Sequence, residues 1–509
     1  MTLEADVCVV GAGPAGLAAA VHAGEGGASV ALVDSAATMG GQYWRHPRSP
    51  GRDPVLDRDL HHDVAVFTRL SGRAAALGQR GALTYLPGRH VWSFSAAGDG
   101  CLVRAIGDGP PGQAAETVVR ARLAILATGA MDRPLPFPGW DLPGVLTVGG
   151  LQALLKGHGV LAGQRILLSG TGPLLLSAAA GVLARGGTVA GVLESARQRR
   201  WLRHLPALAR VPEKVAEGAG YAAVLARHGV TVRTGAMVTA AHGEDRVRGV
   251  TSALITRDGR IEAGSQRRHE ADVLAVGWGF TPRLELHEAA GCALAADAHG
   301  NVSVTVDDDQ FTSCPAVLSA GEPTGIGGAS LAVVEGQIAG IAAARRLGRG
   351  GGPEPRELAA LKRRRRRLQA FAAALASVYT DPGVWPELLT DDTVICRCEE
   401  VTYAEVKQAL ELGAGDVRTV KLLSRAGMGW CQGRVCGYAV GCLASRRRGG
   451  TTDLAAALRM PIAAPVPLGL LADAELPAGA EPPAGPGEAP PGPGRHEAAG
   501  PGGPHADRL

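Results

Sequence analysis

The stretch ADVCVVGAGPAGLAAAVHAGEGGASVALVD, residues 5–34, decides the fold. It opens on ADVCVV, an apolar run of strand length. GAGPAG follows and sets Gly11, Gly13 and Gly16 in the G-x-G-x-x-G pattern, with Pro14 and Ala15 between them. Pro14 sits where the first turn of a helix tolerates proline, because the missing N–H has no partner there. LAAAVHAGEGG reads as the helix and its stop, and ASVALVD as a second strand ending at Asp34, 23 residues after Gly11. Each position has a mechanical task. Gly11 permits the tight turn, Gly13 admits a pyrophosphate, and Gly16 lets helix and strand touch. The helix N-terminus favours the anion through its free N–H groups and its dipole. Asp34 is the acceptor for a ribose hydroxyl. A glycine fingerprint alone is weak evidence; with strand, helix and acid in register it marks a dinucleotide site.

The plan then repeats. RILLSGTGPLLLSAAAGVLARGGTVAGVLE (165–194) gives strand, glycine loop, helix, strand and acid, with Gly170, Gly172 and Glu194 in the matching places. Leu175 replaces the third glycine, which predicts a helix pushed off its strand or a reshaped phosphate site. A second nucleotide, NAD(P) or ATP, is a candidate ligand there. LAILATGA (123–130), through Ala127, Thr128 and Gly129, and VLAVGWGFTP (273–282) are each a strand entering a small-residue turn. Such turns return a chain beneath a bound dinucleotide. VLSAGEPTGIGGASLAVVEGQIAGIAAARRL (317–347) is a strand, a turn holding Gly321 and Glu322, and a loop through Gly328 into an amphipathic helix. Residues 81–107 and 231–255 read as matching β-hairpin inserts.

The totals bound the rest. A chain of 509 residues suggests about three domains. With 46% hydrophobic and 20% charged residues it has the profile of a soluble globular protein. A net charge of +4 is too small to imply a polyanionic partner, and no nucleic-acid role is expected. The run Arg363–Arg367 is the local exception. It falls within a helix predicted over 356–379, whose Leu358, Leu361, Leu368, Phe371, Leu375 and Val378 repeat at helical spacing. This reads as a partly solvated helix linking two domains, with a docking face for an acidic partner as the alternative. The N-terminus enters a strand directly, without a signal-peptide pattern, and no apolar run reaches membrane-spanning length. The expectation is a cytoplasmic chain with no membrane span.

Nine cysteines are unevenly spread, and Cys396, Cys398, Cys431, Cys436 and Cys442 crowd toward the end. ICRCEEVT and GMGWCQGRVCG present C-x-C and C-x4-C, with 32 residues between them. A pair of thiols alone fits a redox disulfide, a metal site or two core cysteines. Four thiols in two close pairs around a small helical unit form a metal or iron–sulfur arrangement. Zinc suits four thiolates equally well. The intervening segment reads helix, glycine stop, helix, with Thr402 as an N-cap. Gly427, Gly429, Gly433 and Gly437 free backbone N–H groups to donate to sulfur. Cys442 reads as a small buried residue.

Residues 5–347 resemble the two-dinucleotide-binding-domain flavoproteins, in which an FAD domain is split by an inserted NAD-type Rossmann domain. GAGPAG, ATGAMDRPLPFPGW and AGEPTGIGGASLAVVEGQIAG carry the resemblance. It implies that FAD is held by the first fingerprint, that Glu322 stands where the family's usual Asp meets the ribityl chain, and that Gly41 and Gln42 of GGQY lie near the flavin. GGQYWRHPRSP has no cysteine, so a flavin-stacked disulfide is not expected. Residues 394–445 resemble the bacterioferritin-associated-ferredoxin (BFD) type of [2Fe-2S] domain, which implies Cys396, Cys398, Cys431 and Cys436 as cluster ligands. The fold class is thus α/β with a small helical BFD-like domain. The expected segments are 1–145 and 271–350 for the FAD domain, 146–270 for the inserted domain, 351–390 for a helical linker, and 391–448 for the cluster. An extension over 449–509 is expected to be disordered from about 464, where Pro, Gly and Ala dominate.

The whole resembles the α subunits of opine oxidases and of hydroxyproline and proline dehydrogenases, and the flavoprotein subunit of hydrogen cyanide synthase. This implies an FAD-dependent oxidoreductase acting on CH–NH or CH–NH2 donors through a glycine- or sarcosine-oxidase-like FAD β subunit. A further partner implied by the resemblance is a small ferredoxin-like subunit. The alternatives are a self-sufficient NAD(P)H:acceptor reductase and a non-redox scaffold with structural zinc. Lys156 and His158 show no sequence partner and are given no catalytic role.

Overall fold

Residues Thr2–Val10 form strand β1, Pro14–Glu25 helix α1 and Val30–Val33 strand β2, and β1 pairs with β2 in parallel. Every residue of β2 is buried, which is why the sequence there is continuously apolar rather than alternating. The computed structural model describes residues 1–48, 56–97, 100–107, 115–297, 300–350, 355–448 and 462–472. Helix α2 (Val64–Gln79) leads to β3 (Leu83–Leu86), and β4 (Arg89–Ala97), β5 (Gly100–Gly107) and β6 (Glu116–Leu126) follow as a meander. The strand order is β3-β2-β1-β6-β5-β4. The hairpin expected over 81–107 therefore starts later: Leu83–Leu86 joins the parallel sheet beside β2, and the antiparallel pairing begins at Arg89.

The second half repeats this plan. The elements are β7 (Ala130–Asp132), β8 (Val145–Thr147), α3 (Val148–His158), β9 (Arg165–Gly170), α4 (Leu174–Ala184) and β10 (Thr188–Glu194). Helices α5 (Leu205–Ala209) and α6 (Pro212–Arg227) then lead to β11 (Val232–Thr234), β12 (Ala236–His242), β13 (Gly249–Leu254), β14 (Arg267–Glu270), β15 (Val273–Gly277) and β16 (Phe280–Pro282). The second sheet runs β11-β10-β9-β15-β8, with β12-β13-β14 as an antiparallel sheet of its own. Val232–Thr234 belongs to the parallel sheet, as Leu83–Leu86 does in the first half. Strand β15 lies inside the second sheet, between β9 and β8, so the crossover back comes after Gly277 and not at 271. β7 and β16, the two small-residue turns of the sequence, pair with each other as an antiparallel ribbon.

Helix α7 (Glu285–Ala289), β17 (Leu294–Ala296), β18 (Val302–Val304) and β19 (Val317–Ser319) return the chain to the first sheet, where β19 pairs with β6. Helix α8 (Ala329–Arg346) lies on α1. Gly336 and Gly340 let their backbones meet: a Cβ on Gly336 would sit 2.0 Å from Ala15 O, and one on Gly340 2.3 Å from Ala19 O.

The arginine run lies on helix α9 (Pro355–Val378), and much of it is paired inside the chain. Arg365 is buried and donates to Asp308 O at 3.0 Å and Gln310 Oε1 at 2.7 Å; Arg366 pairs with Asp308 and Arg367 with Glu213, both at 3.2 Å. The acidic partner of that run is thus largely the chain's own.

The last elements are β20 (Val394–Cys396), β21 (Val401–Thr402), α10 (Tyr403–Glu411), α11 (Val417–Ser424), α12 (Gly437–Arg448) and a single turn, α13 (Leu468–Ala472). That turn falls where no structure is expected, and 473–509 lie outside the described residues. Ile395, Val401, Val406 and Val440 of the small helical unit share one core with Phe137, Trp140, Met237 and Trp278 of the nucleotide domains. No helix among the described residues is long and apolar enough to cross a membrane.

The α1–α8 contact gives a stability test. Gly336→Ala should destabilise the chain by about 2 kcal/mol or more through overpacking. Gly72→Ala, on open space in α2, should stabilise it by roughly 0.5–1 kcal/mol. Thermal unfolding of both variants checks the opposite signs.

Candidate functional site

The first fingerprint leaves no room for side chains. Gly11 has φ +102°, and a Cβ there would lie 2.3 Å from Ala127 O; one on Gly16 would lie 1.7 Å from Gly11 O. Gly40 N–H donates to Ala12 O at 2.8 Å, which lays the GGQ turn against the fingerprint. Helix α1 has no side-chain cap and no acid in its first turn, so its N–H groups stay available to an anion. The Asp34 carboxylate accepts from Ala12 N and, at 2.6 Å, from Ala36 N. Burial pushes its pKa up, and those two N–H groups oppose the shift.

The second fingerprint uses the same device. Glu194 accepts from Gly172 N at 2.9 Å and Ala196 N at 2.8 Å, and burial pushes its carboxyl up to about 7. Gly170 presses on Gly277 O, which a Cβ would approach to 1.9 Å. The Leu175 side chain is buried at the position where Gly16, in the first half, has no room for a Cβ. Helix α4 starts at Leu174, one place later than α1, through tight turns from Leu175 N to Gly172 O and from Leu176 N to Pro173 O.

Between the fingerprints runs a connected cavity of about 2060 Å³. That exceeds the roughly 300–1,000 Å³ of a single small-molecule pocket, so there is room for more than one ligand. Of the nucleotide-site residues named from the sequence, Gly16 and Gly170 do not line it, because they serve packing; Gly11, Gly13, Pro14, Ala15, Asp34, Gly41, Gln42, Ala127, Thr128, Gly129, Gly321, Glu322, Gly328, Gly172 and Glu194 all do. Thr128 Oγ1 donates to Arg283 O at 2.6 Å and ties the crossover ribbon together. The Glu322 carboxylate accepts from Gly327 N at 2.9 Å and Gly328 N at 3.0 Å, so it organises its own loop. Lys156 gains the partner that the sequence did not show: Nζ donates to Tyr43 O at 3.1 Å, and burial lowers its pKa to about 8. His158 is exposed.

Two buried groups escaped the sequence reading. Glu335 is a lone acid in an apolar helix, a signal that a buried partner must exist. It accepts from Gly321 N at 2.9 Å and Thr324 Oγ1 at 2.8 Å, and burial pushes its pKa up to about 7. Arg133 donates to Phe280 O at 2.8 Å and Asn301 Oδ1 at 2.7 Å, and lies 4.0 Å over the Tyr438 ring.

The thiols converge from two loops. Cys436 is within hydrogen-bond reach of Cys396, and Cys431 of Cys398. The hydrogen bond between them holds Cys396 well below the usual thiol range, at about 5, and pushes Cys436 up. Gly427 N–H, in a turn with φ +90°, donates to Cys396 Sγ at 3.4 Å, as expected of a glycine-rich loop. Thr402 caps α10 in a capping box with Glu405. Among the described residues no three ligating side chains gather as a cage for a single ion. The donor set is two thiol pairs, which fits a two-iron centre with two thiolates for each iron.

This loop is fixed to the flavoprotein half. Arg434 donates to Glu285 Oε1 at 2.6 Å, to Ala463 O at 2.6 Å and to Cys431 O at 3.3 Å. Tyr438 donates to Asp381 Oδ2 at 2.6 Å, and its residue lines the cavity. Trp140 Nε1 donates to Val394 O at 2.5 Å.

Glycine cradles, an uncapped helix N-terminus and paired thiols define a flavoprotein joined to an iron–sulfur unit. The chain belongs to the pyridine nucleotide-disulphide oxidoreductase family, whose model matches residues 5–348, and it carries a BFD-like [2Fe-2S] binding domain over 394–443. It is a flavin oxidoreductase whose cofactors are FAD and a [2Fe-2S] cluster. Among known proteins it is similar to the opine oxidase A-chain component of Rhizobium meliloti, at 34% identity over 92% of this chain and 98% of that one. It is also similar to the HcnB component of hydrogen cyanide synthase of Pseudomonas protegens, at 32% identity over 87% and 92%. Its fold matches the crystal structure of L-proline dehydrogenase from P. horikoshii, with a TM-score of 0.63 at 19% identity, covering 92% of this chain and 80% of that one.

Glu335 gives a pH test. Its folded pKa of about 7 stands above the ordinary 4.5, so the folded chain binds the extra proton between those values. Stability from this group is full below about pH 4.5 and falls as pH rises through 7, on the order of 3 kcal/mol in all. Glu335→Gln does not titrate, so its melting temperature should fall less than the native one between about pH 5 and 8. Parallel melting curves across that range measure the difference.

Proposed function

We propose that this chain is the electron-relaying subunit of a heteromeric amine or amino-acid dehydrogenase of the opine, hydroxyproline or proline type. The support is architectural. Its full-length relatives are named as subunits of opine oxidase and hydrogen cyanide synthase. When bound, FAD supplies two-electron exchange and the cluster one-electron exchange. The observation that carries the reading is the buried Arg434–Glu285 pair, which fastens the Cys431–Cys436 loop to the flavoprotein half and sets Tyr438 in the cavity wall.

In this reading Gly11, Gly13 and the N-terminus of α1 bind the pyrophosphate of FAD, Asp34 orients its ribose, and Gln42, Thr128 and Glu322 border the flavin. Cys396, Cys398, Cys431 and Cys436 hold the iron. The CH–NH or CH–NH2 donor is oxidised on a glycine- or sarcosine-oxidase-like partner, because no acid–base pair suited to that step stands out among the described residues. A second nucleotide, NAD(P) or ATP, occupies the cavity near Gly172 and Glu194. The tight start of α4, with Leu175 in place of the third glycine, favours a bound structural nucleotide over a hydride donor, and this sets the relay above a self-sufficient NAD(P)H reductase.

The test follows flavin absorbance in the purified chain. Opines, proline or hydroxyproline, and equally NADH, should leave the flavin oxidised when the chain is alone. One of those amines should bleach it once the oxidase-like subunit is present, with a rate increase of about 100-fold or more. Rapid bleaching by NADH in the isolated chain would replace this reading with the reductase.

A further inference from the structure

A second hollow, of about 590 Å³, opens beyond the acid that ends β10. Three stretches wall it: the tight helical segment Gln198–His204 with the residues leading into it, the turn after β13, and residues 380–383 after α9. Its volume suits one small molecule. Among the described residues its lining cations are Arg197, Arg199, Arg200, Arg203 and Arg257, with no lysine. Two of these guanidiniums brace the walls. Arg197 donates to Ile255 O, and Arg200 to Val378 O and Thr380 Oγ1, both at 3.1 Å. The side chains of Arg199, Arg203 and Arg257 are exposed and form no hydrogen bond or ion pair among the described residues. Ser195, also in the wall, has a buried Oγ with no partner in the chain, and such groups are ordinarily satisfied.

The carboxylates nearby do not balance this charge. Asp381 lines the hollow, but it accepts from Tyr438 OH at 2.6 Å and pairs with no arginine among the described residues. Asp258, next to Arg257 in the chain, stays outside the lining and forms no ion pair there either. Glu194 turns inward to Gly172 N and Ala196 N. The arginines also face away from the nucleotide cavity. Gln198 and Trp201 line that cavity, whereas the arginines of the same segment line the hollow, and the two spaces share Thr380 and Asp381. Guanidiniums cannot shed their charge, so a bound anion relieves their mutual repulsion. Their planar forks match phosphate oxygens two at a time. Several cations around so small a space call for several negative charges on a compact ligand, which linked phosphate groups supply.

We propose that this hollow binds a phosphate-bearing ligand at a site separate from both dinucleotide fingerprints. The proposal does not depend on the relay reading. Two sources share this chemistry, a soluble polyphosphate compound and the headgroup of an anionic lipid. Leu202, in the lining, is 69% exposed and Leu205 is 54% exposed, so a lipid would meet apolar contacts beside the arginines.

The experiment uses the full chain with both cofactors. Inorganic tripolyphosphate is titrated by isothermal calorimetry, with citrate as a carboxylate control. Tripolyphosphate should bind, and more weakly as ionic strength rises from about 0.05 to 0.3 M. The double variant Arg199→Ser/Arg203→Ser should weaken binding by about tenfold or more, with flavin and iron content unchanged. Arg257→Ser, from the turn after β13, carries the same expectation and takes the place of the double variant if that one does not fold. Sedimentation with phosphatidylglycerol vesicles, against phosphatidylcholine vesicles, separates the two sources. Pelleting with the former that Leu202→Ser abolishes assigns the phosphate to a lipid headgroup. Tripolyphosphate binding without pelleting assigns it to a soluble compound.

The proposal is overturned if tripolyphosphate does not bind the native chain, if its binding survives the arginine variants, or if citrate binds better.

Discussion

The ion pair between Arg434 and Glu285 is the constraint on which the functional architecture rests. The two residues are 149 positions apart, and their side chains keep 11% and 7% of their exposure. Charges so far from water are tolerated only when their hydrogen-bonding capacity is met. Arg434 meets that condition by also binding Ala463 O and Cys431 O. One guanidinium therefore joins three stretches: the helix that re-enters the flavoprotein half, the loop carrying two thiols, and the segment after the cluster unit. The Arg133–Tyr438 stack and the Trp140–Val394 bond add two further ties. The small unit is thus held in one geometry against the nucleotide domains, with a shared apolar core beneath it.

The two halves are built from the same parts. In each, the acid at the end of the second strand grips a fingerprint N–H: Asp34 takes Ala12, and Glu194 takes Gly172. In each, a short parallel strand follows and turns at a glycine into an antiparallel meander. They differ at the third fingerprint position. Gly16 allows direct backbone contact with no room for a Cβ, while Leu175 is a buried side chain on a helix that starts one place later. The two fingerprints thus part at one side chain, Leu175 standing where the first has Gly16.

The sequence was most legible where local rules govern. The fingerprints, the apolar parallel strands, the capping box at Thr402 and the paired cysteines all announce themselves within a few residues. Strand partnership was less legible. Leu83–Leu86 and Val232–Thr234 look like the starts of hairpins, because nothing local separates a parallel edge strand from a hairpin arm. Long-range polar contacts were not legible at all. Nothing near Arg434 points to Glu285, and nothing near Arg365 points to Asp308 and Gln310. Lys156 meets Tyr43 across 113 positions for the same reason. Such pairs are set by the assembled fold, and their residue types are those of any solvated surface.

The central claim is that the flavin and the iron–sulfur centre share this body so that electrons pass between them through the junction held by Arg434. The most direct measurement photoreduces the flavin and follows the cluster by freeze-quench EPR, in the native chain and in Arg434→Met at equal iron content. The cluster signal should follow flavin reduction in the native chain and arrive at least about tenfold more slowly in the variant, as expected when a buried anchor is lost. Equal rates in the two proteins, or a native cluster that stays oxidised beside a reduced flavin, would contradict the account.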